Sequence, residues 1–99
     1  MDEKLVAFLK DIRAHAQGAK VLLFGSRATG KANRDSDYDL IVVSESFKKT
    51  PFVDRPAGIW LKSDVGIAAD LLCFTPKEFA RASKTSVILR DGLKHAIAL

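Results

Sequence analysis

Apolar residues recur at helical spacing in the first stretch of the chain. Leu5, Phe8, Leu9, Ile12 and Ala16 stand three or four positions apart, which predicts an amphipathic helix over residues 3–17 with Gly18 as its stop. The period then changes. Residues 20–24 are a short apolar run ended by glycine, the mark of a buried strand. Residues 25–36 gather glycines, Asn33 and hydroxyl residues and read as a loop with room for one helical turn. Residues 37–43 read as a second strand. Alternation sets Asp37, Asp39 and Ile41 on one face, and Tyr38, Leu40 and Val42 on the other. Residues 44–55 are polar around Thr50-Pro51 and read as a connection, followed by a short helix over 56–62 opened by Pro56. Residues 66–74 form the third apolar strand. Thr75-Pro76-Lys77-Glu78 is a capping box with proline at the first helical position, so a helix starts there and covers Phe79 and Ala82. A break near Ser83 divides it from a last helix through Arg90, which Gly92 ends. The apolar tail 93–99 reads as extended. This order predicts an α/β fold: a small mixed β-sheet of three or four strands with flanking helices.

Length and charge narrow the classes. The 99 residues fit one domain, 1–99, and show no repeat, linker or low-complexity segment. The start, Met1-Asp2-Glu3-Lys4, lacks a signal-peptide pattern, and no apolar run approaches the ~18–20 residues of a membrane span. A cytoplasmic protein with no membrane partner is expected. The single cysteine, Cys73, excludes an internal disulfide; within Leu71-Leu72-Cys73-Phe74 it reads as a small core residue. The net charge of +4 comes from basic residues interspersed with acids. That pattern suits a solvated surface or polyphosphate binding and does not require nucleic acid.

The candidate chemistry lies between residues 25 and 40. Gly25-Ser26 follows a strand directly. Glycine lets the backbone approach a phosphate, and Ser26 adds a hydroxyl donor; Arg27, Lys31 and Arg34 stand near enough in sequence to offset its charge. A plain turn with Ser26 as a helix cap is the other reading. Asp37 and Asp39 are i and i+2 in a strand, so both carboxylates point the same way, about 6–7 Å apart. They suit a hard cation such as magnesium or, equally, a solvated strand edge. Asp70 interrupts the apolar strand Ile67-Ala68-Ala69-Asp70-Leu71-Leu72-Cys73-Phe74. Buried there it needs a partner: a metal shared with Asp37 and Asp39, or a neighbouring lysine or arginine.

Gly25-Ser26, ten residues, Asp37-x-Asp39 and a later Asp70 together resemble the nucleotidyltransferase superfamily that includes DNA polymerase β. The small size and the run from Asp70 to Phe79 look like its stand-alone minimal nucleotidyltransferases. In that family the domain is typically the antitoxin paired with an all-helical toxin of the higher eukaryotes and prokaryotes nucleotide-binding (HEPN) type. The resemblance implies that Gly25, Ser26 and Arg27 bind the nucleotide and that Asp37, Asp39 and Asp70 hold two magnesium ions. It implies transfer of AMP from ATP to a hydroxyl of the HEPN partner, a tyrosine near the toxin's active site, in a complex of the two proteins. A contact-only antitoxin, and a transferase acting on a small molecule or RNA, are the alternatives. The resemblance is to members that lack the helical domain with which larger ones shape an acceptor pocket, so the pocket is expected to come from a partner.

The remaining candidates are plainer. His15 and His95 lack a metal-ligand spacing. Tyr38 points away from the aspartates, into a core. Trp60 with Phe47, Phe52 and Ile59 forms either a core edge or a partner surface, and Phe52, Trp60 and the apolar tail are the expected contacts for a partner.

Overall fold

A computed structural model describes residues 2–30 and 37–99, with the side chains of Ser26 and Thr29 outside the description. Helix α1 (Glu3–His15) leads into strand β1 (Lys20–Phe24) and the one-turn helix α2 (Ser26–Thr29). Strand β2 (Tyr38–Val43) follows, then helix α3 (Arg55–Leu61), strand β3 (Ala69–Phe74), helices α4 (Pro76–Thr85) and α5 (Val87–Leu93), and the short strand β4 (Ile97–Ala98). The four strands lie in the order β3-β2-β1-β4, with β2 and β3 parallel and β1 antiparallel to both of its neighbours. The mixed sheet predicted from the apolar pattern is thus present, and the apolar tail supplies its fourth strand.

Period-2 alternation divides the core between two faces. Val21, Leu23, Tyr38, Leu40, Val42, Leu71 and Cys73 face α1, which returns Leu5, Phe8, Leu9 and Ile12. Ile59 of α3 joins them, and Trp60 stacks on Phe8 with ring centroids 4.8 Å apart. Trp60 and Phe47 therefore pack with the core, while Phe52 stays partly exposed. Burial raises the Cys73 thiol to about 12, so it is an inert core group. The opposite face carries Ile41 and Val43, covered by Leu89 of α5 and by Phe79 and Ala82 of α4.

Several boundaries differ from the sequence expectation, and three of them have a clear physical reason. Helix α1 stops at His15, two residues early, with the Ala16 N–H closing the last bond to the Ile12 carbonyl. Strand β3 starts at Ala69 and not at residue 66, because its partner β2 begins only at Tyr38, the residue in register with Ala69. Ser83 does not break α4. Its hydroxyl donates to the Phe79 carbonyl at 2.7 Å, the i−4 bond that leaves a serine inside a helix. The break falls at Ser86, whose hydroxyl accepts from the Leu89 N–H at 3.2 Å and caps α5.

Gly92 lies inside α5 and does not end it. A Cβ there would overlap the far edge of the Phe24 ring, so this glycine lets α5 lie directly on β1. Gly92→Ala gains about 1 kcal/mol in helix propensity but overpacks the ring at a cost of roughly 1–3 kcal/mol. A net loss of ~1 kcal/mol in urea unfolding is expected. Greater stability in the alanine variant would show that Phe24 has room to move.

Candidate active site

The site is built where β1 ends and β2 begins. Phe24, Asp39 and Asp70 are in register across β1, β2 and β3, so their side chains share one face, the face that carries α4 and α5. Asp37 stands two residues before Asp39, at the exposed entry to β2. Three carboxylates thus gather toward one end of the sheet. Asp39 feels all of this. Its carboxyl lies above the usual carboxylate range, first because it is partly buried, then because of the charges of Asp70 and Asp37. Among the described residues, no three His, Cys, Asp or Glu side chains stand close enough to form a ready metal cluster.

Asp70 is not buried, although its apolar neighbours in sequence suggest that it would be. Its side chain is exposed, as is that of Leu72, because β3 is an edge strand and both lie where the helices do not cover it. No burial penalty therefore forces Asp70 to find a partner. What ties it to the site is its register with Asp39.

Gly25 closes the site from the β1 side. Its φ of 75° lies in the left-handed region, and a Cβ would overlap Asp39 Oδ2. The backbone at Gly25 is pressed against the carboxylate, and only glycine fits there. The loop then turns into α2, where the Ala28 N–H donates to the Gly25 carbonyl at 3.1 Å. The Ser26 side chain, Lys31 and Arg34 lie outside the described residues. Arg27 has its guanidinium 4.1 Å from the centroid of the Tyr38 ring, on the sheet face opposite Asp39. The Tyr38 hydroxyl donates to Asp2 Oδ2 at 3.0 Å, which joins the cap of α1 to β2.

The arrangement tests whether a divalent cation suits these residues. Hard carboxylate oxygens in sequence and in register, with mutual repulsion that raises Asp39, form a donor set that a cation such as magnesium would stabilise. The donor chemistry suits the ion, while among the described residues no three of these side chains stand close enough to enclose it. The parts that frame it, Phe24 beside Asp39 and Gly92 behind Phe24, carry no signal in the sequence. Gly92 reads as a helix stop in sequence, and nothing local marks it as a packing position.

The chain belongs to the nucleotidyltransferase domain family, whose profile matches residues 3–97. Its fold is similar to that of a protein from Sulfolobus solfataricus provisionally described as a nucleotidyltransferase, with a TM-score of 0.68 and 18% identity over 97% of this chain and 76% of that one. At that identity the likeness establishes the shared fold. No curated protein matches the chain closely. The family makes the protein a transferase of nucleotidyl groups.

Proposed function

We propose that the chain transfers AMP from ATP to a hydroxyl on a protein partner of the HEPN type and acts as its antitoxin. The observation that carries the catalytic part is the in-register pair Asp39 and Asp70 beside the left-handed Gly25. In this reading Asp37, Asp39 and Asp70 would hold two magnesium ions, Gly25 and Ser26 bind the nucleotide, and Arg27 joins them only by leaving the Tyr38 ring on the opposite face of the sheet. The bound ions would supply Lewis-acid stabilisation to the attacking and leaving oxygens. The protein's own contribution is placement. Gly25 brings backbone against Asp39, so a phosphate lying on that backbone is also next to the carboxylates. The acceptor oxygen bonds to the α-phosphorus, the bond to the bridging oxygen breaks, pyrophosphate leaves, and the acceptor proton passes to solvent.

A second reading, neutralisation by contact alone, draws on exposed apolar side chains. Val53, Leu61, Val87 and Ile88 stand largely in solvent and offer surface to another chain. The deciding experiment mixes the purified protein with the candidate toxin, magnesium and ATP labelled at the α-phosphate. Label on a toxin tyrosine supports transfer. A toxin neutralised without label supports contact alone, and label on RNA or a small molecule moves the acceptor elsewhere.

A further inference from the structure

A cleft of about 690 Å³ opens along α4 and the connection that follows β2. That volume lies within the ~300–1,000 Å³ range of small-molecule sites. Its walls come from the connection after β2, from the start of α3 and from the length of α4 as far as Thr85, and include Glu45, Lys48, Arg55, Lys77, Glu78 and Arg81. Asp39 and Asp70 lie near the starts of the parallel strands β2 and β3, and the cleft lies past their ends. Thr75 at its rim stands five positions after Asp70, about 16 Å along a strand at ~3.3 Å per residue. The lining includes none of Gly25, Asp37, Asp39 and Asp70, so the two sites are built from different residues.

The charges in the cleft are unbalanced. Arg55 and Glu78 neutralise each other as a two-pronged ion pair, at 2.5 and 3.2 Å. Arg55 also donates to the Cys73 and Thr50 carbonyls, so its donors are committed and it forms a fixed wall. That leaves Lys48, Lys77 and Arg81, none of which makes an ion pair among the described residues, against the single carboxylate Glu45. The lining thus carries an excess of two positive charges. Like charges in a concave wall concentrate their field on the space between them and favour an anion there. Lysine and arginine together suit phosphate oxygens, which accept several charge-assisted hydrogen bonds.

We propose that this cleft binds the phosphate group of a small molecule through Lys48, Lys77 and Arg81. The site does not depend on the transfer reaction, and its test uses no divalent metal.

Nitrogen-15-labelled protein is titrated with inorganic phosphate and, in parallel, with AMP, at constant ionic strength set with chloride. Saturable shifts of the amides of Lys48, Lys77, Glu78 and Arg81 are expected. The double variant Lys77→Ala with Arg81→Ala should weaken binding by ~10-fold or more with its melting temperature unchanged. The charge-preserving pair Lys77→Arg with Arg81→Lys should restore it. Equal affinity for both probes identifies the free anion as sufficient, and tighter AMP binding identifies a phosphomonoester. Shifts confined to residues 25–30, shifts that do not saturate, or a double variant that binds as well as the parent would overturn the site. Transfer activity enters none of these readouts, so its presence or absence leaves them unchanged.

Discussion

Asp39→Asn is expected to lower nucleotidyl transfer by a factor of ~100 or more and, at neutral pH, to make the protein more stable. The two effects share one cause. Asp39 is partly buried and faces Asp70 and Asp37, so its negative charge is held at a cost that a bound cation would offset. Asparagine keeps the shape beside Gly25 and removes that charge. The stability effect has a defined pH dependence. The folded carboxyl lies above its ordinary value of 3.8, so protonation favours the folded state. Stability from this group is complete below pH 3.8 and is lost as pH rises through the folded value. The asparagine variant escapes that loss, so its advantage should be present at neutral pH and vanish in acid. Thermal melts at neutral pH and below pH 3.8, without metal, measure this directly. Transfer from labelled ATP and partner affinity by calorimetry measure the rest. Unchanged transfer would show that the reaction does not use Asp39. A variant less stable than the parent at neutral pH would show that the carboxylate already has a compensating partner.

The elements with strong periodicity are legible in the sequence. The spacing of Leu5, Phe8, Leu9 and Ile12 announces α1, and alternation across β2 sorts Tyr38, Leu40 and Val42 from Asp39 and Ile41 onto the faces they occupy. The capping box at Thr75 and Glu78 is present with both of its hydrogen bonds. Less legible is anything set by a partner distant in sequence. Strand β3 is shorter than its apolar run because pairing begins where β2 begins. Asp70 looks buried among apolar neighbours because sequence does not reveal that β3 is an edge strand. Its role beside Asp39 depends on parallel register, which only the fold supplies.

Arg55 is the other residue whose importance the sequence conceals, since an arginine before Pro56 in a polar connection reads as surface. It is only 5% exposed, and its guanidinium holds four acceptors together: the Thr50 carbonyl, the Cys73 carbonyl and both oxygens of Glu78. These belong to the connection after β2, the end of β3 and the first turn of α4. Arg55→Ala should therefore cost about 3 kcal/mol, toward the low end of the values for breaking a buried pair. The discount reflects Glu78, whose side chain is 44% exposed and can return to water. For a chain of this length such a loss lowers the melting temperature by roughly 12–24 °C. The effect should also depend on pH. The Arg55 guanidinium first, and then the Thr75 N–H, hold the Glu78 carboxyl down at about 2, against 4.5 ordinarily. Stability from a depressed carboxyl is present above pH 4.5 and is lost as pH falls toward 2. The gap between parent and variant should be steady near neutrality and narrow across that acid window. Urea unfolding at pH 7 and pH 3 tests both parts. A gap below ~1 kcal/mol at pH 7 would show that water replaces the arginine without penalty. A gap equally wide at pH 3 would assign the loss to the cavity and the two carbonyl bonds instead of the ion pair.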